Sequence, residues 1–87
     1  MKENLIIINP CSGKKRANRY LVNIVDTFTK AGYMSSVLTT TRQGDGTMYA
    51  AEYGGDFDLV TCIGGDGSFN EVVAGLLEKG HKTPIGY

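Results

Sequence analysis

The chain has 87 residues, of which 41% are hydrophobic and 21% charged, and its nine basic and nine acidic side chains cancel. That length allows one domain with a thin core, burying only about 60% of the surface its unfolded form exposes. The composition excludes a disordered chain. The zero net charge excludes the broad basic field of a nucleic-acid binder, and two cysteines exclude a disulfide framework or a zinc site.

The first element is the run "NLIIIN", Asn4 to Asn9, a continuous apolar stretch that reads as a strand buried on both faces. Its aliphatic part, Leu5 to Ile8, is far short of the ~20 residues that span a bilayer. Lys2 and Glu3 lead straight into it without a secretory pattern, so the expected location is cytoplasmic. The turn "NPCSGK" comes next. From Arg16 to Ala31 the apolar residues Ala17, Tyr20, Leu21, Ile24, Val25 and Phe28 recur at gaps of three and one, which predicts a helix with a single apolar stripe. Gly32 is its stop signal.

Tyr33 to Thr40 reads as a second strand, and "TRQGDG" as a polar loop. Thr47 to Tyr53 reads as a short helix with Asp45 or Thr47 as candidate cap, ended by Gly54 and Gly55. Asp58 to Ile63 is a third, buried strand, in which Cys62 packs as a small hydrophobe. After the glycine loop comes a helix with Phe69, Val72, Val73, Leu76 and Leu77 on one face. Ser68 and Glu71 stand at capping-box spacing. Gly80 closes that helix, His81 falls in an exposed polar loop, and Lys82 to Tyr87 begins a fourth strand. Tyr20, Tyr33, Tyr49 and Tyr53 read as packing residues.

Alternating strands and helices imply parallel crossovers. The fold class is α/β, a doubly wound three-layer α/β/α arrangement with a mostly parallel sheet in strand order 2-1-3-4. The two most apolar strands, the first and third, then lie together at the centre. Their connections leave toward opposite faces, which opens a crevice at their carboxyl ends. The loops over it are "NPCSGK" and "GGDGS". The fourth strand ends as a bare apolar edge. The expectation is an incomplete N-terminal domain, residues 1–87 being the front of something longer, or a homodimer that covers the edge.

Gly64, Gly65 and Gly67 let a ligand reach backbone amides, and the helix after them aims its free N–H groups at the same spot. That suits an anion, most commonly phosphate. Asp66 amid them is consistent with holding Mg²⁺, with accepting a proton from an attacking hydroxyl, or with capping the helix; an ordinary strand-to-helix turn would also use these residues. In the other loop Pro10 fixes the exit from the strand, Ser12 and Gly13 offer a hydroxyl and an open amide, and Lys14 a mobile cation. One glycine is too few for a Walker A loop. Lys14, Lys15, Arg16 and Arg19 form a basic cluster suited either to a solvated face or to phosphates and an anionic membrane surface.

"NPCSGKKRA", "TTTRQGDG" and "GGDGSFNEVVAGL" together resemble, in order and spacing, the diacylglycerol kinase catalytic domain family, which also includes the YegS/BmrU-like lipid kinases, sphingosine kinases and ceramide kinases. The resemblance implies ATP-dependent, Mg²⁺-assisted phosphorylation of a lipid hydroxyl by a protein that visits the membrane surface for its substrate. It implies a nucleotide site lined by Asn9, Pro10, Cys11, Ser12, Gly13 and Lys14, by the Thr40 hydroxyl, and by Gly64, Gly65, Asp66, Gly67, Ser68, Phe69, Asn70 and Glu71. Asp66 would be the catalytic carboxylate, and no residue is assigned as a resident metal ligand. Ser68 stands where the family has threonine and Gly46 where it has the alanine of "GDA". The family continues into a "P-x-G-T-x-N-D" segment and a β-sandwich, so these 87 residues are expected to bind nucleotide weakly and to turn over poorly. Two other readings stand beside this one: an NAD-kinase-like or sugar-kinase-like enzyme, against which "NPCSGK" argues, and a non-catalytic α/β binding module.

Overall fold

The computed structural model describes residues 1–10 and 16–86, with the side chains of residues 16–19 outside that description. The elements are β1 (Lys2–Ile8), α1 (Arg16–Lys30), β2 (Tyr33–Thr39), α2 (Asp45–Tyr53), a 3₁₀ turn (Gly54–Asp56), β3 (Leu59–Ile63), α3 (Asp66–Glu78) and β4 (Ile85–Gly86). The four strands form one parallel sheet in the order β2-β1-β3-β4, as the two apolar runs demand. Both central strands are nearly closed to solvent: Leu5, Ile6, Ile7, Ile8, Val60 and Cys62 are each at most 2% exposed. Burial of a large aliphatic side chain of this kind contributes about 2 kcal/mol.

Side chains alternate across a strand, and the two faces of this sheet differ. Leu5, Ile7, Val60 and Cys62 meet Ala50 of α2 and Val72 and Leu76 of α3 in one apolar cluster, with Phe69, Tyr49 and Ile85 packed against it. The register pairs Ile6 with Thr61 and Ile8 with Ile63 on the other face, where α1 lies. There Thr61 Oγ1 donates to Asn4 Oδ1 at 2.9 Å and Asn4 Nδ2 donates to Ser35 Oγ at 3.4 Å, so the buried polar atoms crossing three strands are satisfied. α1 leaves the β3–β4 side of this face partly open, as an apolar hollow of about 310 Å³ lined by Ile24, Phe28, Leu59 and Thr61. Helices on both faces make the three layers.

Helices α2 and α3 approach closely because Gly75 has no side chain. A Cβ there would meet the Thr47 carbonyl oxygen and come within 2.8 Å of Ala50 Cβ.

Several local expectations need correction. Leu77, placed on the apolar face of α3, is 72% exposed, because the sheet and α2 cover only the side that carries Val72 and Leu76. Tyr20 and Tyr53 are about half exposed and do not serve as core packing; Tyr33 stacks edge-on against Phe28 with ring centroids 5.5 Å apart. His81 is half-buried, not solvated. Its Nε2 lies 2.9 Å from the Ala51 carbonyl oxygen, and its ring fills the space left by Gly55.

Candidate functional site

The register decides where the loops emerge. Ile8, Thr39 and Ile63 lie side by side at the carboxyl ends of β1, β2 and β3. The ladder runs one residue further, with the Asn9 N–H donating to the Ile63 carbonyl and the Thr40 N–H to the Ile8 carbonyl, both at 2.9 Å. Asn9, Thr40 and Gly64 therefore leave the sheet together. Gly64 is explained by this crowding, since a Cβ would stand 2.8 Å from Ser68 Oγ and 3.4 Å from Asn9 Cβ.

A cavity of about 500 Å³ opens at this place, lined by Ile7, Asn9, Thr40, Thr41, Arg42, Gln43, Gly46, Gly65, Gly67, Ser68 and Glu71. Its volume suits a small ligand or cofactor. Of the residues expected at the site, Asn9, Thr40, Gly65, Gly67, Ser68 and Glu71 line it. Pro10 and Gly64 are half-buried and off its wall, and Asn70 is exposed outside it. Phe69 packs against the apolar core cluster and is not among the residues that line the cavity. Cys11, Ser12, Gly13 and Lys14, with Lys15 of the basic cluster, lie outside the described residues.

α3 begins three residues earlier than a Ser68–Glu71 capping box requires. Gly65 is its N-cap, with no side-chain cap bond, and Asp66 its first residue. Asp66 thus does not cap the helix as its N-cap residue. It is exposed, flanked by the two lining glycines, and itself off the cavity wall. The N-terminal amides of α3 carry a partial positive charge toward the cavity. Gly67 is not among the positive-φ glycines, and a Cβ on it would meet nothing within 4 Å, so neither backbone conformation nor packing requires glycine there.

The wall opposite α3 is not foreseen by the local sequence pattern. Gly44, at φ 95°, is the N-cap of α2, a left-handed conformation that glycine adopts readily. Asp45 is the first residue of α2 and does not cap it; Oδ2 instead accepts hydrogen bonds from Thr41 N–H at 2.8 Å, Thr41 Oγ1 at 2.9 Å and Arg42 N–H at 3.2 Å. These bonds, the Thr41 amide foremost, hold its carboxyl below the ordinary value of 3.8. Glu71, freed from the capping box, reaches across to accept from Gly44 N–H at 3.1 Å, and its carbonyl accepts from Thr47 Oγ1 at 2.9 Å. Thr40 Oγ1 makes no hydrogen bond to another described residue and faces the cavity half-buried. Behind the wall, burial first and the Glu71 charge second push the Cys62 thiol up to about 11.

A parallel sheet with its ligand-sized cavity at a carboxyl-end switch point, beside a glycine-flanked helix start, is matched by known proteins. The family model of the diacylglycerol kinase catalytic domain matches residues 3–87. This chain belongs to the diacylglycerol kinase catalytic domain family. It is 40% identical over 87 residues to the diacylglycerol kinase of Bacillus subtilis (strain 168), covering 99% of this chain and 29% of that protein. With the diacylglycerol kinase of Staphylococcus haemolyticus it is 39% identical over 82 residues, covering 93% of this chain and 25% of the relative. The crystal structure of a diacylglycerol kinase from Bacillus anthracis str. Sterne superposes with a TM-score of 0.83 at 30% identity, covering 97% of this chain and 31% of that one. The chain therefore spans between a quarter and a third of the proteins it matches. Among the described residues no helix is long and apolar enough to cross a membrane.

Proposed function

We propose that this chain supplies the nucleotide-binding part of an ATP-dependent lipid kinase. The observation that carries the reading is the convergence of Asn9, Thr40, Gly65, Gly67 and Ser68 on one cavity at the amino end of α3. The donor set fits a triphosphate: helix-start amides that a methyl group would screen at Gly67, the Thr40 hydroxyl, and the Arg42 guanidinium. Mg²⁺, when bound, neutralises charge on the phosphates. Among the described residues no group of three or more His, Cys, Asp or Glu side chains is gathered to hold a metal, so the ion would ride on the phosphates with at most a carboxylate such as Asp66 beside it.

In the reaction proposed, the oxygen of a lipid hydroxyl attacks the γ-phosphorus, the bond from that phosphorus to the bridging oxygen breaks, and ADP leaves. Asp66, exposed between the two lining glycines, is the group we assign to accept the hydroxyl proton. The chain's own contribution is positioning and electrostatic stabilisation. Diacylglycerol or a related lipid met at a membrane surface is the substrate class proposed. The test is a titration with ATP, with and without Mg²⁺, following the amides of Gly64 to Asn70. Shifts confined to those residues, to Asn9 and the loop after it, and to Thr40–Gly46 support the reading. Silence there, or shifts only around Thr27 and Phe28 on the opposite face, would overturn it.

A further inference from the structure

The loop between β2 and α2 carries more than lining residues, and the role inferred for it rests on the nucleotide reading. The backbone N–H groups of Thr41 and Arg42 and the Thr41 hydroxyl all end on Asp45 Oδ2. The Gly44 N–H ends on Glu71 Oε1, 27 residues away on α3, and the Thr47 hydroxyl fastens the start of α2 to the Glu71 carbonyl. A further tie runs from the Asp45 N–H back to the Arg42 carbonyl at 3.3 Å. Four of the loop's own donors are thus turned inward, onto two carboxylates. What remains directed at the cavity is the Thr40 hydroxyl and the side chains of Arg42 and Gln43.

We propose that Asp45 and Glu71 are positioning residues, a two-carboxylate clamp that pre-forms this wall so that Thr40, Arg42 and Gln43 meet a nucleotide already in place. An ionised carboxylate accepts several hydrogen bonds at once and makes each stronger than a neutral acceptor would. A loop ordered in advance does not subtract its ordering entropy from the ligand's affinity. The two members of the clamp differ in chemistry. Asp45 receives three donors on one oxygen, so a neutral amide there weakens every bond. Glu71 receives one side-chain bond, and the amide oxygen of glutamine accepts it as well.

The test uses the 87-residue chain. Without ligand, Asp45→Ala speeds amide exchange at Thr41 and Arg42 by about tenfold or more, Asp45→Asn does so by less, and the β1 amides of Leu5 to Ile7 keep their protection. Glu71→Ala speeds exchange at Gly44, and Glu71→Gln restores it. With ATP, Asp45→Ala binds on the order of tenfold more weakly, the usual scale for losing a group that orients a ligand-bearing residue, and Asp45→Asn is intermediate. Unchanged exchange in Asp45→Ala, a loosened loop with undiminished ATP affinity, or a Glu71→Gln as impaired as Glu71→Ala each overturns the clamp. Failure of the unmodified chain to bind ATP strikes the nucleotide reading instead, and the exchange measurements then decide the clamp alone.

Discussion

Replacing Gly67 by alanine separates folding from binding at this site. Gly67 is the second residue of α3, its φ is not positive, and an added Cβ meets nothing within 4 Å. Folding should gain from the substitution, because alanine restricts the unfolded chain, by about 0.5 kcal/mol. For a domain of this size that raises the melting temperature by roughly 2–4 °C. The methyl group nevertheless projects into the space through which an anion approaches the helix-start amides. Displacing a phosphate oxygen there is expected to cost about 1.4 kcal/mol, a tenfold loss of affinity. Thermal denaturation monitored by circular dichroism gives the first quantity, and ATP-induced amide shifts at fixed nucleotide give the second. A Gly67→Ala chain with a higher melting temperature and undiminished ATP shifts refutes the reasoning, for the triphosphate would then sit elsewhere.

Gly75→Ala has the opposite profile. Its Cβ meets backbone of α2 at Thr47, which cannot swing aside, and overpacking of about 3 kcal/mol less a helix-propensity gain of about 1 kcal/mol leaves a net loss near 2 kcal/mol in urea unfolding. Cys62, pushed up to about 11, holds roughly a hundredth of the thiolate at pH 8 that an unshifted thiol would. Alkylation mapped to Cys62 by mass spectrometry should therefore lag at least that far behind the urea-unfolded chain; equal rates would refute its burial. Asp45, whose folded-state carboxyl lies below 3.8, keeps its bonds to Thr41 and Arg42 above that value and loses them as pH falls through the lowered one. An NMR titration midpoint for Asp45 at or above 3.8 would contradict the loop geometry.

The sheet is legible in the sequence because its signals are contiguous. Leu5–Ile8 and Leu59–Ile63 are apolar runs that only a doubly covered strand accommodates, and with the crossover rule they set the order of all four strands. The place of the candidate cavity is legible where loops leave the strand ends, at the "NPCSGK" and "GGDGS" turns, while Thr40 enters only through the family resemblance. What escapes are groups whose partners are distant in sequence. Glu71 stands three residues after Ser68, and that local spacing suggests a capping box. Helix α3 starts at Asp66 instead, which leaves Ser68 inside the first turn and sends the Glu71 carboxylate to Gly44. The Ala51 carbonyl that holds His81 is likewise 30 residues away. No periodicity records such a pairing. Thr41, Arg42 and Gln43 look like a plain polar connection because the tie of their loop to α3, Gly44 N–H to Glu71, spans 27 residues.

Charge decides how such a wall can hold a triphosphate. Among the described residues that line the cavity, Arg42 is the sole cation and Glu71 the sole anion, so the described part of the lining offers no net positive field. Glu71 and Asp45 would repel phosphate as bare carboxylates. Both instead have their charge turned onto backbone amides, which disperses it away from the cavity. The attraction that the described residues offer an anion comes from oriented dipoles at the start of α3 and from Arg42, and the dipoles act only at short range. A nucleotide arriving with its charge partly neutralised by Mg²⁺ suits this balance better than a bare one. On the proposed nucleotide reading, the same balance gives the amides around Gly67 a weight out of proportion to their size: close approach to backbone N–H groups is the main binding contribution the described wall can supply.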